Sequence, residues 1–143
     1  MHAVQVERPA KAVFDFLADV SNETKWRQSI VGSRYIDADL PAIGVEGETD
    51  VSMGSKSLTM RWTVTELVDG EYVAWRLDGN PWNGGGSYRV LSDDNGAVVQ
   101  GCLEVRLKGA ARVLEPIVGL QFRRGLRSDL DRLVRVLSEA AAE

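Results

Sequence analysis

LTMRWTVTELVDGEYVAWRLD, residues 58–78, alternates apolar and polar side chains on both sides of a DGE turn. Leu58, Met60, Trp62 and Val64 share one face of the first run, and Thr59, Arg61 and Thr63 share the other. A period of two marks a half-buried strand, and a short turn between two such runs makes an antiparallel hairpin. The pattern continues on either side, predicting strands at 29–37, 45–53, 58–68, 72–78, 86–92 and 97–107. Their connections are ADLPAIG, GSKS, DGE, GNPWNGG and DDNG. Six consecutive runs joined by short turns form a meander.

The flanks read differently. Ala3 to Glu7 alternates as a short strand would; Pro9 suits a first helical position, and Val13, Phe16 and Leu17 recur at helical spacing. A second short helix is expected over Asn22 to Trp26, and the last stretch of about 33 residues reads as a long helix ending near Ala141. The order β–α–α–β6–α is an α+β arrangement in which a curved antiparallel sheet wraps one long helix and leaves space between the layers.

Bulk properties exclude several classes of function. The 143 residues fit a single domain over 1–143, and the net charge of -4 argues against nucleic acid as a partner. No apolar run approaches the roughly 20 residues of a membrane span, so no stable membrane insertion is expected, nor a signal peptide. Cys102 is the single cysteine, which rules out an internal disulfide and a thiolate zinc site and points to a reducing cytoplasm. His2 is the single histidine and is expected to be solvated at the chain end, so no imidazole-based triad or metal site is expected.

Strand parity sorts the wall residues. The inward sets are Val45, Gly47, Thr49, Val51 and Met53; Leu58 to Val64 as above; Val73, Trp75 and Leu77; Gly86, Tyr88 and Val90; and Val99, Gly101, Leu103 and Val105. For 29–37 the parity is ambiguous, because Ile30 and Ile36 share a face with Arg34 while Val31 shares one with Tyr35; a bulge would resolve it. Small inward residues stand beside Trp62, Trp75 and Tyr88, so either the rings fill the space the glycines leave or a cavity remains. The strands from 45 to 105 put no carboxylate, lysine or arginine on that face, which leaves Tyr88 as a weak candidate acid and favours binding over catalysis. On the outer face, a GSKS turn would set Asp50 opposite Arg61.

Apolar spacing in the last segment runs in two phases. Leu114, Ile117, Val118, Gln121 and Phe122 define one face; Leu126, Leu130, Leu133, Val134 and Leu137 define another. Pro116, Gly119 and Gly125 predict a kink between them, with a loosely held first half gating a cavity. Arg127, Asp131 and Arg135 are spaced for i,i+4 pairs. Alternating turns place Trp26, Trp82 and the first half of the helix at one end, the expected mouth, where Trp82 is either a rim or a plug. The GNPWNGGGS stretch joins strand to strand and lacks a GK[ST] ending, so it is read as a flexible hairpin loop with room for a ligand, not as a phosphate cradle.

The stretches VERPAKAVFDFLADVSNETKW, TVTELVDGEYVAWRL, GGGSYRV and LRSDLDRLVRVLSEA resemble the START-like or SRPBCC superfamily, in its polyketide cyclase/dehydrase and lipid-transport branch. The resemblance implies a helix-grip fold with a curved seven-stranded sheet around the C-terminal helix. It also implies an apolar cavity that binds a lipid, isoprenoid or polyketide-like molecule, with cyclase, aromatase or dehydratase activity as the alternative. No cofactor or metal is expected, and the chain is expected to be a monomer or weak homodimer. The expected ligand-binding residues are Trp26, Thr49, Met60, Trp62, Trp75, Trp82, Tyr88, Leu103, Leu114, Val118 and Phe122.

Overall fold

The computed structural model describes residues 2–53, 55–78, 82–107 and 109–142. Among these, seven strands form one antiparallel sheet in the order β1-β7-β6-β5-β4-β3-β2. The strands are β1 (His2–Val6), β2 (Ile30–Tyr35), β3 (Glu46–Met53), β4 (Lys56–Val68), β5 (Tyr72–Asp78), β6 (Trp82–Asp93) and β7 (Gly96–Leu107). Helix α1 (Ala10–Ala18), a 3-10 turn (Val20–Asn22) and α2 (Glu23–Trp26) lie between the first two strands; a second 3-10 turn (Gly109–Leu114) leads into α3 (Glu115–Ala142). The curved sheet grips α3, which packs against β7 and β1. This is the helix-grip α+β architecture.

Alternation sets the core. Trp62, Val64, Val73, Leu77, Tyr88, Val90 and Val99 are buried from the sheet; α1 adds Val13, Phe14 and Leu17, and α3 adds Leu126, Leu130, Leu133 and Leu137. A bulge between Ile30 and Gly32 resolves the parity of β2: Ile30 and Ser33 turn inward with Tyr35 partly buried, and Val31 faces solvent. A second bulge between Val64 and Glu66 resets β4 so that Leu67 packs on the core while Val68 is exposed.

Three expectations are corrected. The β3–β4 register is tighter by two residues, since Met53 pairs with Lys56; Asp50 therefore faces Thr59, and Arg61 faces Glu48. Arg34 binds both Glu48 and Asp50 from β2, so the outer-face charges form a network across three strands. The glycine run is strand, not loop: Gly84, Gly85 and Gly86 pair with Leu77, Arg76 and Trp75 on one side and with Val105, Glu104 and Leu103 on the other. Composition suggested flexibility, but a Cβ at Gly85 would collide with the Trp75 carbonyl oxygen, so the glycines serve close strand approach. Finally, α3 is one continuous helix. Pro116 falls in its first turn, where a missing N–H breaks no helical hydrogen bond. The change of phase is real nonetheless: the buried stripe begins at Leu126, and Ile117 and Leu120 are exposed.

His2 is also better placed than a frayed terminus. It pairs with Gly101 in β1, and its Nε2 lies 3.9 Å from Asp131.

Candidate functional site

Between the sheet and α3 lies a cavity of about 510 Å³, within the size range of small-molecule sites. Its apolar wall includes Met60, Trp62, Val64, Trp75, Leu77 and Leu103. Ser29, Ser52, Gln121 and Gly125 also line it and are solvent-exposed, so they form its rim.

The two wall tryptophans are each seated on a glycine. The Trp62 indole lies over Gly47, and its Nε1 donates to the Thr49 hydroxyl at 2.9 Å. The Trp75 ring lies over Gly86, where a Cβ would come within 2.6 Å of it. Gly101 admits the Leu130 side chain, which a Cβ there would meet at 3.0 Å. The inward glycines are thus filled by neighbouring side chains and are not themselves ligand space. The rings they seat are wall: Trp75 packs on Tyr88 with centroids 5.0 Å apart, and Tyr35 packs edge-on to Trp62 at 5.5 Å.

Of the residues expected to meet a ligand, Thr49, Met60, Trp62, Trp75, Tyr88 and Leu103 line the cavity. Trp26 does not: it is 1% exposed in the core, its ring edge-on to Tyr88 at 5.7 Å. It supports the wall from behind, because α2 carries it under the sheet and not out to the rim. Leu114 is 55% exposed on the second 3-10 turn and is not part of the lining. The side chains of Trp82, Val118 and Phe122 lie outside the described residues.

The charged end of the cavity was not anticipated. Although the inner faces of the strands carry hydroxyls, α2 and α3 bring in Glu23 and Asp129, and the residue that follows α2 brings in Arg27. Arg27 binds Glu23 at 2.8 Å, and its Nε lies 3.7 Å from Asp129; the Gln28 N–H donates to Asp129 at 3.2 Å. Ser33 links Glu23 (3.2 Å) to the Thr49 hydroxyl (3.0 Å), which connects the charges to Trp62. Two sequence signals were available. Glu23 and Arg27 have i,i+4 spacing, and Asp129 interrupts the stripe Leu126, Leu130 and Leu133 at a position that should be apolar.

The electrostatics follow from burial. Desolvation depresses the Arg27 guanidinium, but Tyr88, Glu23 and Asp129 outweigh it and hold its pKa above the ordinary arginine value. Burial raises Asp129 above the usual carboxylate range, partly offset by the Gln28 N–H and by Arg27 and Arg132. Burial also raises Tyr88, opposed by Arg27 and reinforced by Glu23 and Asp129. At neutral pH the site therefore offers a permanent cation, a neutral phenol and a carboxyl group that takes up a proton more readily than usual.

A curved sheet gripping a helix over an aromatic cavity defines a helix-grip ligand-cavity protein. The chain belongs to the family described as Polyketide cyclase / dehydrase and lipid transport, which it matches over residues 2–138. No curated protein matches the sequence. Similar solved structures include protein NE0264 from Nitrosomonas europaea (15% identity, 99% of this chain and 95% of that one, TM-score 0.77). The ZhuI aromatase/cyclase from Streptomyces sp. R1128 is similar at 15% identity over 98% of this chain and 93% of that one, with a TM-score of 0.77. The di-domain aromatase/cyclase StfQ of the steffimycin pathway is 10% identical, with 99% of this chain and 51% of that one aligned and a TM-score of 0.78. At these identities the likeness is one of fold. Among the described residues, no helix is long and apolar enough to cross a membrane.

Proposed function

We propose that the protein binds a small, mostly apolar, ring-containing molecule of polyketide-like character in this cavity. The observation that carries the reading is an aromatic cavity of about 510 Å³ with a single charged end. Trp62 and Trp75 offer flat surfaces for stacking, and Arg27 and Tyr88 offer donors to a carbonyl or phenolic oxygen. Membership of a family named for polyketide cyclases and lipid transport supports the same substrate class.

Native mass spectrometry of protein purified from its own host tests this. The expected result is a stoichiometric, organic-extractable adduct. Protein that carries no adduct and shows no change in tryptophan fluorescence on titration with an anthraquinone or a fatty acid overturns it.

A second reading, cyclisation or dehydration of a bound poly-keto chain, is favoured by the meeting of Tyr88, Arg27 and Asp129. Arg27 and Tyr88 would stabilise an enolate oxygen while the Asp129 carboxylate accepts the α-proton, and the walls would hold the chain folded. Turnover of a poly-keto thioester that Asp129→Asn and Tyr88→Phe each abolish, while binding weakens by no more than about tenfold, supports this reading. Tight binding without turnover in the native protein removes it.

A further inference from the structure

The second 3-10 turn and the start of α3 combine two properties that a solvated helix face does not need. Val113, Leu114, Ile117 and Leu120 are 81%, 55%, 60% and 44% exposed. Arg112, Arg123, Arg124 and Arg127 are exposed beside them, and none is ion-paired with a described residue. Residues 112–127 hold four arginines and one glutamate, a net charge of +3 on a chain whose total is -4. At ~100° per residue, Ile117 lies opposite the buried Leu126 on α3, with Leu120, Arg124 and Arg127 near it. Ile117, Leu120, Arg124 and Arg127 therefore share the side of α3 turned away from Leu126.

We infer that this segment docks the protein on an anionic membrane surface. Exposed aliphatic side chains flanked by arginines match the interfacial zone of a bilayer, where chains enter the acyl boundary and guanidinium groups meet lipid phosphates. A second copy of the chain is a poorer occupant, because apposing this patch with itself would set +3 against +3. The placement also has a geometric sense. Gln121 and Gly125, at the cavity rim, lie on the same helix within about a turn of the docking residues, so a docked molecule holds the cavity mouth beside the lipid.

Vesicle flotation tests the inference. The probes are phosphatidylcholine vesicles with and without about one-third phosphatidylglycerol, at low and high salt. The protein is expected to float with anionic vesicles, not with neutral ones, and to be released in part as salt rises. The double variant Arg124→Glu/Arg127→Glu should bind anionic vesicles more than about twentyfold more weakly, at roughly fivefold per arginine lost. Ile117→Ser/Leu120→Ser should also weaken binding, by about tenfold. Lys11→Glu, on the exposed face of α1, should bind as the native protein does. Circular dichroism of each variant confirms that the fold is retained. Three outcomes overturn the inference: no flotation of the native protein, unchanged binding by the arginine variant, or unchanged binding by the apolar variant. A concentration-dependent dimer that the Ile117/Leu120 variant abolishes would assign the face to self-association and overturn it as well.

Discussion

The indole of Trp62 occupies the space that any side chain at Gly47 would need, so one glycine sets the position of one cavity wall. Gly47→Ala should cost about 1–3 kcal/mol in urea denaturation, because the ring must leave its seat against Thr49. It should also change tryptophan fluorescence in the folded state. An unaltered spectrum with native stability would show that the wall yields freely.

Gly125 is the opposite case. It lies within α3, and a Cβ there meets nothing within 4 Å. Gly125→Ala should raise stability by about 1 kcal/mol by removing backbone freedom from the unfolded chain and improving helix propensity. Thermal unfolding checks the sign.

Arg27→Met leaves Glu23 and Asp129 as buried carboxylates without their cation, and should cost about 3–5 kcal/mol. The double variant Glu23→Gln/Arg27→Met should be less damaged than the sum of its parts. Denaturation of all three proteins gives the coupling.

Tyr88→Phe probes the cavity itself. Tyr88 lines the site. Loss of its hydroxyl should cost less than about 1 kcal/mol of stability, yet weaken binding of an oxygen-bearing ligand about two- to tenfold. Isothermal titration against the co-purifying molecule measures the second effect.

Acid stability divides between the two sides of the sheet. Hydrogen bonds from Arg61 and Arg34 hold Glu48 below its ordinary value, and Arg34 and Thr59 do the same for Asp50. Their contribution is present above the unfolded carboxylate value of about 4 and is lost as pH falls through the lower folded values. Arg34→Ala should therefore flatten the acid limb of the stability curve. Asp129 has the opposite sign: burial raises it, so its favourable contribution is present below about pH 4 and is lost as pH rises through the folded value. Asp129→Asn should gain on the native protein over that rising interval in denaturation series at fixed pH.

How much of this was legible in the residues depends on whether a periodic signal existed. Trp62, Val64, Tyr88 and Val99 sit where alternation puts them because each lies in a strand with one buried face. The register of β3 on β4 was missed because GSKS admits turns of different length, and a slip of two leaves every side chain on its own face. Gly84 to Gly86 misled for the reverse reason: composition speaks of turns, while their role comes from the backbone and ring of Trp75 in the neighbouring strand. Arg27 lies just after a four-residue helix, too short to carry a period, and its inward aim depends on α2 docking against α3. Trp26 was misplaced by the same shortness. The cavity was therefore foreseeable from the strands, and its charged end was not.

The sheet order has a consequence for assembly. Every neighbouring pair of strands is adjacent in sequence except one: β1 pairs with β7, from His2 against Gly101 to Val6 against Ala97. The β3–β7 hairpins can zip from local turns, but β1 has no strand to join until the last of them exists, and the stripe of α3 then packs on both. Closing that long loop precedes any gain from it, which makes the β1–β7 seam a late and slow step in folding. Val6, with 0% exposure at this seam, stays in water until that closure, so the face of β1 that the finished fold hides best is the one its assembly covers last.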